Sequence, residues 1–435
     1  MKDFVLRNVS LFGEEVVDAA VCGGQWSAIG KDLGCGYGQE IDAEGKILLP
    51  GVIDAHVHFN EPGRTDWEGI ETGSRALSAG GGTAFFDMPL NSSPPVFDGA
   101  GMRLKRTLCA EKSRVDFGIW GGLTPDSLGG LEEMADEGVI GYKAFMCGSG
   151  LEEFGKAGRK VLAHGMKVAA RRGLVVGVHA EDESLIGKSG FEDVMGSSLE
   201  GMRMWFASRP VEAELAAIRI AMELAGESGV KLHVVHVTHP DGLNLIEEGR
   251  RNGVDVSAET CPHYLLLNTG MGARIGAFAK CAPPLRDGIS VEGMWGLLKL
   301  VETIGSDHSP SPPEMKAGEN VFAIWGGIAG CQHGIELVCN EAMRRGIPLK
   351  TMAEKWRGGV LRRFGLGGGS LEAGQDADFF LLEKQPGIIK EEDLLYRHRI
   401  SAYVGWERDW RVLGTWLRGR RVGDETRGRF LRPSG

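Results

Sequence analysis

The pair His56 and His58 carries the most chemical information in this sequence. Residues 51–60, which contain the pair, are typical of a strand, and side chains two residues apart on a strand project from the same face. Two neutral imidazoles on one face can bind a single metal ion. An isolated pair of this kind is more often only a polar strand face, so the interpretation depends on the rest of the chain.

Other residues of metal-ligand type end further predicted strands. His179, His236 and Asp307 stand at such positions, and each alone could be a hydrogen-bonded core residue or a helix cap. Together with the first pair, they indicate a metal centre at one end of a barrel. The alternation of side chains leaves the choice between His233 and His236 open, because the two project from opposite faces of their strand.

Lys143 lies inside the predicted strand 139–145, where both faces would be buried. A protonated lysine there carries a large desolvation cost, and an ammonium group has no lone pair for a metal. Reaction of the neutral amine with CO2 would give a carbamate whose two oxygens could bridge two metal ions. The alternative is a lysine that extends past the end of the strand into solvent.

The elements that must position these residues alternate between strand and helix. Residues 51–365 contain predicted strands at 82–87, 115–120, 139–145, 174–179, 231–237, 254–259 and 303–307, with helical stretches such as 211–225 between them. About eight repeats of this alternation predict an α/β fold, a parallel (β/α)8 TIM barrel. Its active site is expected at the carboxyl ends of the strands.

Both ends of the chain instead show short alternating strands, at 4–12, 15–22, 377–382 and 411–417. This pattern predicts one small β-domain built from both termini. The expected domains are therefore 1–50 plus 366–435, and the barrel over 51–365.

Composition excludes several classes of function. The 435 residues carry a net charge of −10 and no block of basic residues, which argues against a nucleic-acid partner. No apolar run is long enough to span a membrane, and the first residues do not resemble a secretory signal. The eight cysteines are scattered without Cys-x-x-Cys pairs, which is typical of reduced thiols and predicts a cytoplasmic protein.

These motifs identify a family. The chain resembles the amidohydrolase superfamily, in the branch that holds dihydroorotases, hydantoinases and allantoinases. The resemblance covers nearly the whole chain and rests on the strand around Lys143 and on residues 50–58, 178–181, 232–236, 259–264, 280–286 and 304–310. It implies a binuclear metal site in a (β/α)8 barrel and a small β-sandwich made by both termini.

The resemblance also implies a role for each candidate residue. His56, His58 and Asp307 would hold the more buried of two divalent metal ions, expected to be zinc, and His179 and His236 would hold the exposed one. Lys143, carbamylated to N6-carboxylysine, would bridge them. The resemblance thus selects His236, which leaves His233 and His263 as structural or supporting residues. Lys143 and Asp307 would be catalytic: a hydroxide bridging the metals attacks the cyclic amide, and Asp307 moves the proton to the leaving nitrogen.

The segments between the ligands are similar to those of allantoinases, notably residues 60–69, 87–95, 306–314 and 325–330. They imply hydrolysis of the hydantoin ring of allantoin to allantoate, a step of purine-ring catabolism. Dihydroorotases usually have arginine and histidine at the positions of Asn60 and Ser311, and hydantoinases usually have tyrosine at the position of Gly148. The substrate would be a small cyclic ureide, and the implied substrate-binding residues are Asn60, Asn91, Ala282 and Ser309.

Other functions fit parts of this pattern. Gly148 and residues 238–241 depart from the allantoinase pattern, so a hydantoinase, dihydropyrimidinase or dihydroorotase is the first alternative. Some members of the superfamily are non-catalytic scaffolds that have lost their metal ligands. Because all six ligand positions are present here, that alternative is disfavoured. The resemblance further implies a homotetramer.

Overall fold

The computed structural model describes residues 3–34, 36–187, 199–318 and 320–434. Its strands, within these ranges, fall into two sheets. In chain order they are β1 Phe4–Leu11, β2 Glu15–Cys22, β3 Gln25–Gly30, β4 Gln39–Asp42, β5 Ile47–Pro50, β6 Val52–Val57, β7 Gly82–Asp87, β8 Asp116–Gly122, β9 Gly141–Phe145, β10 Val175–His179, β11 Lys231–Val234, β12 Val256–Thr260, β13 Thr303–Ile304, β14 Phe379–Ile388, β15 Glu407–Leu417 and β16 Arg420–Arg421.

The second sheet is the barrel that the alternation predicts. Strands β6 to β13 follow one another in sequence order, and every registered pair between them is parallel. Past the ends of the first and last strands, the His58 N–H donates to the carbonyl of His308 at 2.8 Å, which brings the two edges together. Strands β6 to β10 are buried along almost their whole length, as expected when helices cover a parallel sheet.

Helices connect the barrel strands and cover their outer faces. Among the described residues the α-helices are α1 Ile70–Ala79, α2 Gly99–Lys112, α3 Leu131–Asp136, α4 Arg159–Arg171, α5 Leu199–Ser208, α6 Val211–Ser228, α7 Pro240–Arg251, α8 Pro262–Leu266, α9 Thr269–Ile275, α10 Gly288–Gly296, α11 Gly334–Arg344, α12 Leu349–Ala353 and α13 Gly359–Phe364. None of these helices is both long and apolar enough to cross a membrane.

The first sheet is built from both ends of the chain, with the order β16-β15-β14-β5-β1-β2-β3 and β4 paired to β1. Strands β3 and β14 are four places apart in that order, which is roughly 19 Å in a flat sheet. Yet the rings of Trp26 on β3 and Phe379 on β14 have centroids only 5.0 Å apart. The sheet therefore folds back on itself around an apolar core, as in a sandwich.

Three predicted strands are longer than the observed ones. The predictions 51–60, 231–237 and 303–307 were wrong at their carboxyl ends, since the strands stop at Val57, Val234 and Ile304. The backbone explains the early ends of β11 and β13. Shortly after these strands, His236 and Asp307 adopt positive φ angles of 43° and 45°, which a strand cannot accommodate. The candidate ligands His58, His236 and Asp307 thus lie on the turns that follow the strands.

The chain returns to the barrel after the terminal sheet. Residues 428–431 lie along the start of β8, where Phe117 donates its N–H to Arg429 O at 2.9 Å and Leu431 donates to Phe117 O at 2.7 Å. The seven cysteines that the structure describes are free thiols, as predicted, and Cys35 lies outside the described residues.

Candidate metal centre and active site

The candidate ligands meet at the carboxyl end of the barrel. His56 lies on β6, Lys143 on β9 and His179 at the last position of β10, while His58, His236 and Asp307 follow the ends of β6, β11 and β13. All six line one cavity of about 210 Å³. Because parallel strands present their carboxyl ends at the same rim, residues far apart in sequence converge there.

His56, His58 and Asp307 form the tightest group. Asp307 Oδ1 lies 3.2 Å from His56 Nε2 and 3.3 Å from His58 Nε2. Ligand atoms about 2.1 Å from a tetrahedral zinc ion are separated from one another by about 3.4 Å. The two distances to Asp307 therefore match that separation, and all three ligand atoms lie within 4.8 Å of one another.

His179 and His236 form the second group. Their ring centroids are 4.6 Å apart, and the centroid of His236 is 5.5 Å from that of His56. His179 Nε2 lies 2.7 Å from Glu181 Oε2, and Glu181 also accepts hydrogen bonds from the guanidinium of Arg209. This contact uses one ring nitrogen of His179 and leaves Nδ1 available as a ligand atom.

Lys143 is completely buried, and its Nζ has no hydrogen-bond partner among the described residues. The nitrogen lies 5.1 Å from the centroid of the Phe145 ring. Burial lowers the pKa of Lys143 to about 8, although Asp307 and Glu259 oppose the shift. The neutral amine, which is the form that reacts with CO2, is therefore far more populated here than on an exposed lysine.

The electrostatics keep the ligand set in the protonation states that metal binding needs. Burial lowers the pKa of His56, His179 and, most strongly, His236, so these imidazoles are neutral at pH 7. Burial alone would raise the pKa of Asp307, but the neighbouring His56 and His58 hold it well below its usual value. The site thus offers neutral nitrogens beside an ionised carboxylate.

Several turns near this cavity contain residues other than glycine with positive φ angles. Besides His236 and Asp307, the asparagines Asn60 and Asn91 have positive φ angles of 64° and 65°. A side chain other than glycine adopts this region at a free-energy cost of order 1 kcal/mol or more, and such residues cluster at functional sites. The turns at the carboxyl rim are therefore held in shape by the surrounding structure.

Glu259 is a residue whose role the sequence analysis did not assign. It lies on β12, fully buried, and its Oε1 is 2.7 Å from His56 Nδ1. Burial opposes ionisation, but His56 and His233 lower the pKa of Glu259 to about 2. This carboxylate orients His56 so that Nε2 faces Asp307. The available signal for Glu259 was an acidic residue inside a fully buried strand, and for Glu181 an acidic residue two positions past the end of β10.

The implied substrate-binding residues lie in two different environments. The described residues that line the cavity besides the six candidate ligands include Leu90, Asn91, Phe145, Gly148, Trp205, Arg209, Lys280, Ala282, Ser309, Phe322 and Trp325. Asn91 Nδ2 donates to Ser309 Oγ at 3.3 Å. Asn60 lies outside this lining set; it is buried, and its Nδ2 is 3.4 Å from Pro310 O. Arg209 and Lys280 are cationic lining residues that the sequence analysis did not single out.

Three further histidines near the site, His233, His239 and His263, do not line the cavity. His233 is buried on β11, with Nδ1 2.7 Å from Ser257 Oγ and Nε2 3.5 Å from Glu259. His239 caps α7 by accepting the Asp241 N–H. His263 is buried on α8, and neither ring nitrogen has a hydrogen-bond partner within the described ranges.

The amino-acid sequence is similar to amidohydrolases over nearly its whole length. The model of the amidohydrolase family matches residues 47–280. An allantoinase of Rubrobacter xylanophilus is 48% identical over 99% of this chain and 98% of its own length. Allantoinases of Deinococcus radiodurans and Solibacter usitatus are 44% and 43% identical, over 99% and 100% of this chain and 99% and 97% of their own lengths.

Solved structures have the same architecture. The L-hydantoinase (dihydropyrimidinase) of Arthrobacter aurescens superimposes with a TM-score of 0.91 at 28% identity, covering 99% of this chain and all of its own. A dihydropyrimidinase of Brevibacillus agri gives a TM-score of 0.87 at 26% identity, with 99% and 100% covered.

Proposed function

The chain belongs to the amidohydrolase family, and we propose that it is an allantoinase that hydrolyses the hydantoin ring of allantoin to allantoate. Relatives named allantoinase support this activity, at 43% identity or more over nearly the whole chain for the three described above. The observation that carries the chemistry is the convergence of six candidate ligands on one cavity. This reaction would place the protein in purine-ring catabolism.

The residues present fit two divalent metal ions. His56, His58 and Asp307 would hold one ion, since their ligand atoms all lie within 4.8 Å of one another. His179 and His236 would hold the other. Carbamylated Lys143 would bridge the two ions, and this explains a buried lysine whose Nζ lacks a partner in the described structure. Zinc is the proposed metal, since nitrogen and carboxylate ligands at these spacings suit it.

The side chains of the site would have different roles in hydrolysis. When bound, the two ions would supply an activated water as nucleophile and an electrophile for the scissile carbonyl. The ionised carboxylate of Asp307 accepts the proton of the nucleophile and passes it to the ring nitrogen as the C–N bond breaks. Glu259 and Glu181 hold the rings of His56 and His179 in place.

The walls of the cavity suit a small polar ring that accepts hydrogen bonds. Asn91, Ala282 and Ser309 are proposed to contact the substrate, because all three line the cavity. Asn60 is proposed to act through the loop instead, since its amide contacts the Pro310 carbonyl. Aromatic rings such as Trp205, Phe322 and Trp325 complete the enclosure and exclude water from the reacting amide.

The deciding experiment compares initial rates of the purified, metal-replete protein on allantoin, dihydroorotate and a 5-substituted hydantoin. We expect at least a tenfold preference for allantoin. Asp307→Asn is the matched control: it should abolish turnover while leaving the melting temperature close to that of the wild type. A preference for either other ring would overturn the substrate assignment.

A hydantoinase is the second candidate, because the solved structures described above carry that or the dihydropyrimidinase name. The same rate comparison distinguishes it. Metal analysis tests the scaffold alternative, since a scaffold should purify without two ions per chain. A homotetramer and a cytoplasmic location remain predictions, which light scattering and cell fractionation test. The proposed domain division, 1–50 plus 366–435 and 51–365, remains a prediction as well.

A further inference from the structure

Lys280 is a charged cavity residue that the proposed mechanism does not use. It lines the same cavity as the candidate metal ligands and is almost completely buried. Its Nζ lies 4.1 Å from the centroid of the Trp205 ring and donates a hydrogen bond to the carbonyl of Ile324. The ammonium group is therefore held in one place rather than swinging into solvent.

The charge of Lys280 has no partner of opposite sign. None of the ion pairs within the described ranges involves Lys280, and the two side chains with the largest electrostatic influence on its pKa, Lys316 and Arg209, are both cationic. Burial, together with Lys316 and Arg209, lowers the pKa of Lys280 to about 7. A buried cation without a counter-charge is costly, and a strongly perturbed group in a cleft is a candidate for function.

The hydrogen-bonding capacity of this group is also incomplete. An ammonium group has three N–H donors and a neutral amine has two, and the only hydrogen bond formed by Nζ within the described residues is the one to Ile324 O. The contact with Trp205 is directed at an aromatic ring, which accepts no conventional hydrogen bond. Donors are thus left for a ligand in the cavity, and they require an acceptor oxygen.

We propose that Lys280 determines specificity by donating a hydrogen bond to the carbonyl oxygen of the ureido arm of the substrate. This inference rests on the proposed function, because allantoin is a hydantoin ring that carries a ureido group at its tetrahedral carbon. The ring amide must face the candidate metal ligands, which leaves the arm to the rest of the cavity lining, and Lys280 is a cation of that lining that forms no ion pair with a described residue. A ring without the arm has no oxygen to offer at that position.

The test measures how Lys280→Met changes discrimination between allantoin and unsubstituted hydantoin, which is the same ring without the arm. Hydantoin is followed as an alternative substrate or as a competitive inhibitor, whichever the wild type shows. We expect kcat/KM for allantoin to fall at least tenfold, mainly through KM, while the constant for hydantoin changes less than twofold. Lys280→Gln keeps a hydrogen-bond donor without the charge, so its kcat/KM for allantoin should lie between those of the wild type and Lys280→Met.

Lys316→Met is the matched control. Lys316 is also buried, and its Nζ donates to Trp325 O and to Gly327 O, so it holds the same wall. It lies outside the lining set of the cavity. If Lys280 acts only by supporting the wall, both variants should impair allantoin and hydantoin alike, and the proposal would be overturned.

The remaining outcomes are also decisive. Melting temperature and metal content identify a misfolded Lys280→Met, in which case Lys280→Gln carries the test. An equal loss on both rings in a folded, metal-replete variant would mean that Lys280 binds the ring or the product carboxylate instead, and would overturn the arm contact. Wild-type protein that fails to hydrolyse allantoin would overturn the proposed function separately.

Discussion

At the scale of single residues, the site is built from charged side chains that have been removed from water. Glu259 and Glu181 are fully buried yet ionised, because each contacts a histidine and Glu181 also binds Arg209. Lys143 and Lys280 are also buried, and neither forms an ion pair with a described residue, although Asp307 and Glu259 interact electrostatically with Lys143. The two glutamates orient candidate metal ligands, whereas the two lysines are proposed to react with CO2 (Lys143) and to bind substrate (Lys280). The consequence of burying a charged side chain therefore depends on whether an oppositely charged or hydrogen-bonding group contacts it.

Lys143→Ala tests the carbamate. We expect the variant to lose metal and activity, because removal of the bridging group leaves two ions without a shared anion. Short carboxylic acids added with metal should restore part of the activity. Elemental analysis and initial rates measure both effects, with Lys355→Ala as control, since Lys355 is a partly buried lysine that donates to Val301 O outside the cavity. Undiminished metal content without rescue would contradict the bridge.

Lys316 gives a pH dependence of stability. Burial lowers its pKa to about 7 from the model-compound value of 10.5. Between these two pH values the unfolded chain binds more protons than the folded one, so this group makes the free energy of unfolding rise with pH. Lys316→Met should reduce that slope by about 1.4 kcal/mol per pH unit. Denaturant titrations at pH 7 to 10 measure the difference, and identical slopes would contradict it.

At the scale of elements, the turns after the strands depend on buried contacts from the helices. Lys105 on α2 lies 2.8 Å from Asp87 at the end of β7 and donates to the Met88 carbonyl. Asp87 in turn accepts the N–H of Phe59, which stands between His58 and Asn60. One buried ion pair therefore connects a helix to the backbone that carries a candidate metal ligand.

Lys105→Met should destabilise the fold strongly. Removing one partner leaves Asp87 buried and unpaired, which costs about 3–5 kcal/mol. Lys390→Met is the matched control: its pair with Glu392 is solvent-exposed, so the cost should stay below about 1 kcal/mol. Chemical denaturation compares the two variants. Equal stability losses would mean that the buried pair contributes nothing beyond a surface pair.

At the scale of the whole molecule, the chain connects its two sheets more than once. Strand β5 of the terminal sheet leads directly into β6 of the barrel, and residues 428–431 return to the barrel beside β8. There the Arg429 N–H donates to Asp116 Oδ1 at 2.7 Å, while Arg418 of the terminal sheet binds the other oxygen of the same carboxylate. Asp116 therefore holds the tail and the terminal sheet together.

Removal of residues 427–435 should lower the stability of both sheets. The segment makes four hydrogen bonds to the chain around β8, each contributing about 1 kcal/mol. For a protein of this size such a loss corresponds to a fall in melting temperature of about 4 °C. Calorimetry measures it, with removal of residues 433–435 alone as control, which takes away the hydrogen bond from the Ser434 N–H to Gly365 O but none of the four around β8. An unchanged melting temperature would show that the tail does not stabilise the barrel.

The sequence by itself determined the fold class and the family. Its strand and helix periods predicted the barrel, because apolar patterning is a local property of the chain. The residue types at the strand ends predicted which side chains meet, because parallel strands present their carboxyl ends together. The identity of the candidate ligands, including His236 over His233, came from the family resemblance, and their ligand roles stay predictions. The cavity that these side chains share agrees with that choice.

Only the tertiary structure decided how those residues are held. The early ends of β11 and β13 depend on backbone angles that the local pattern does not encode. The pairing of Glu259 with His56, and of Glu181 with Arg209, joins residues from separate elements. That Lys280 has no anionic partner among the described residues is likewise visible only once its neighbours are in place. Long-range contacts set these features, so no window of sequence contains them.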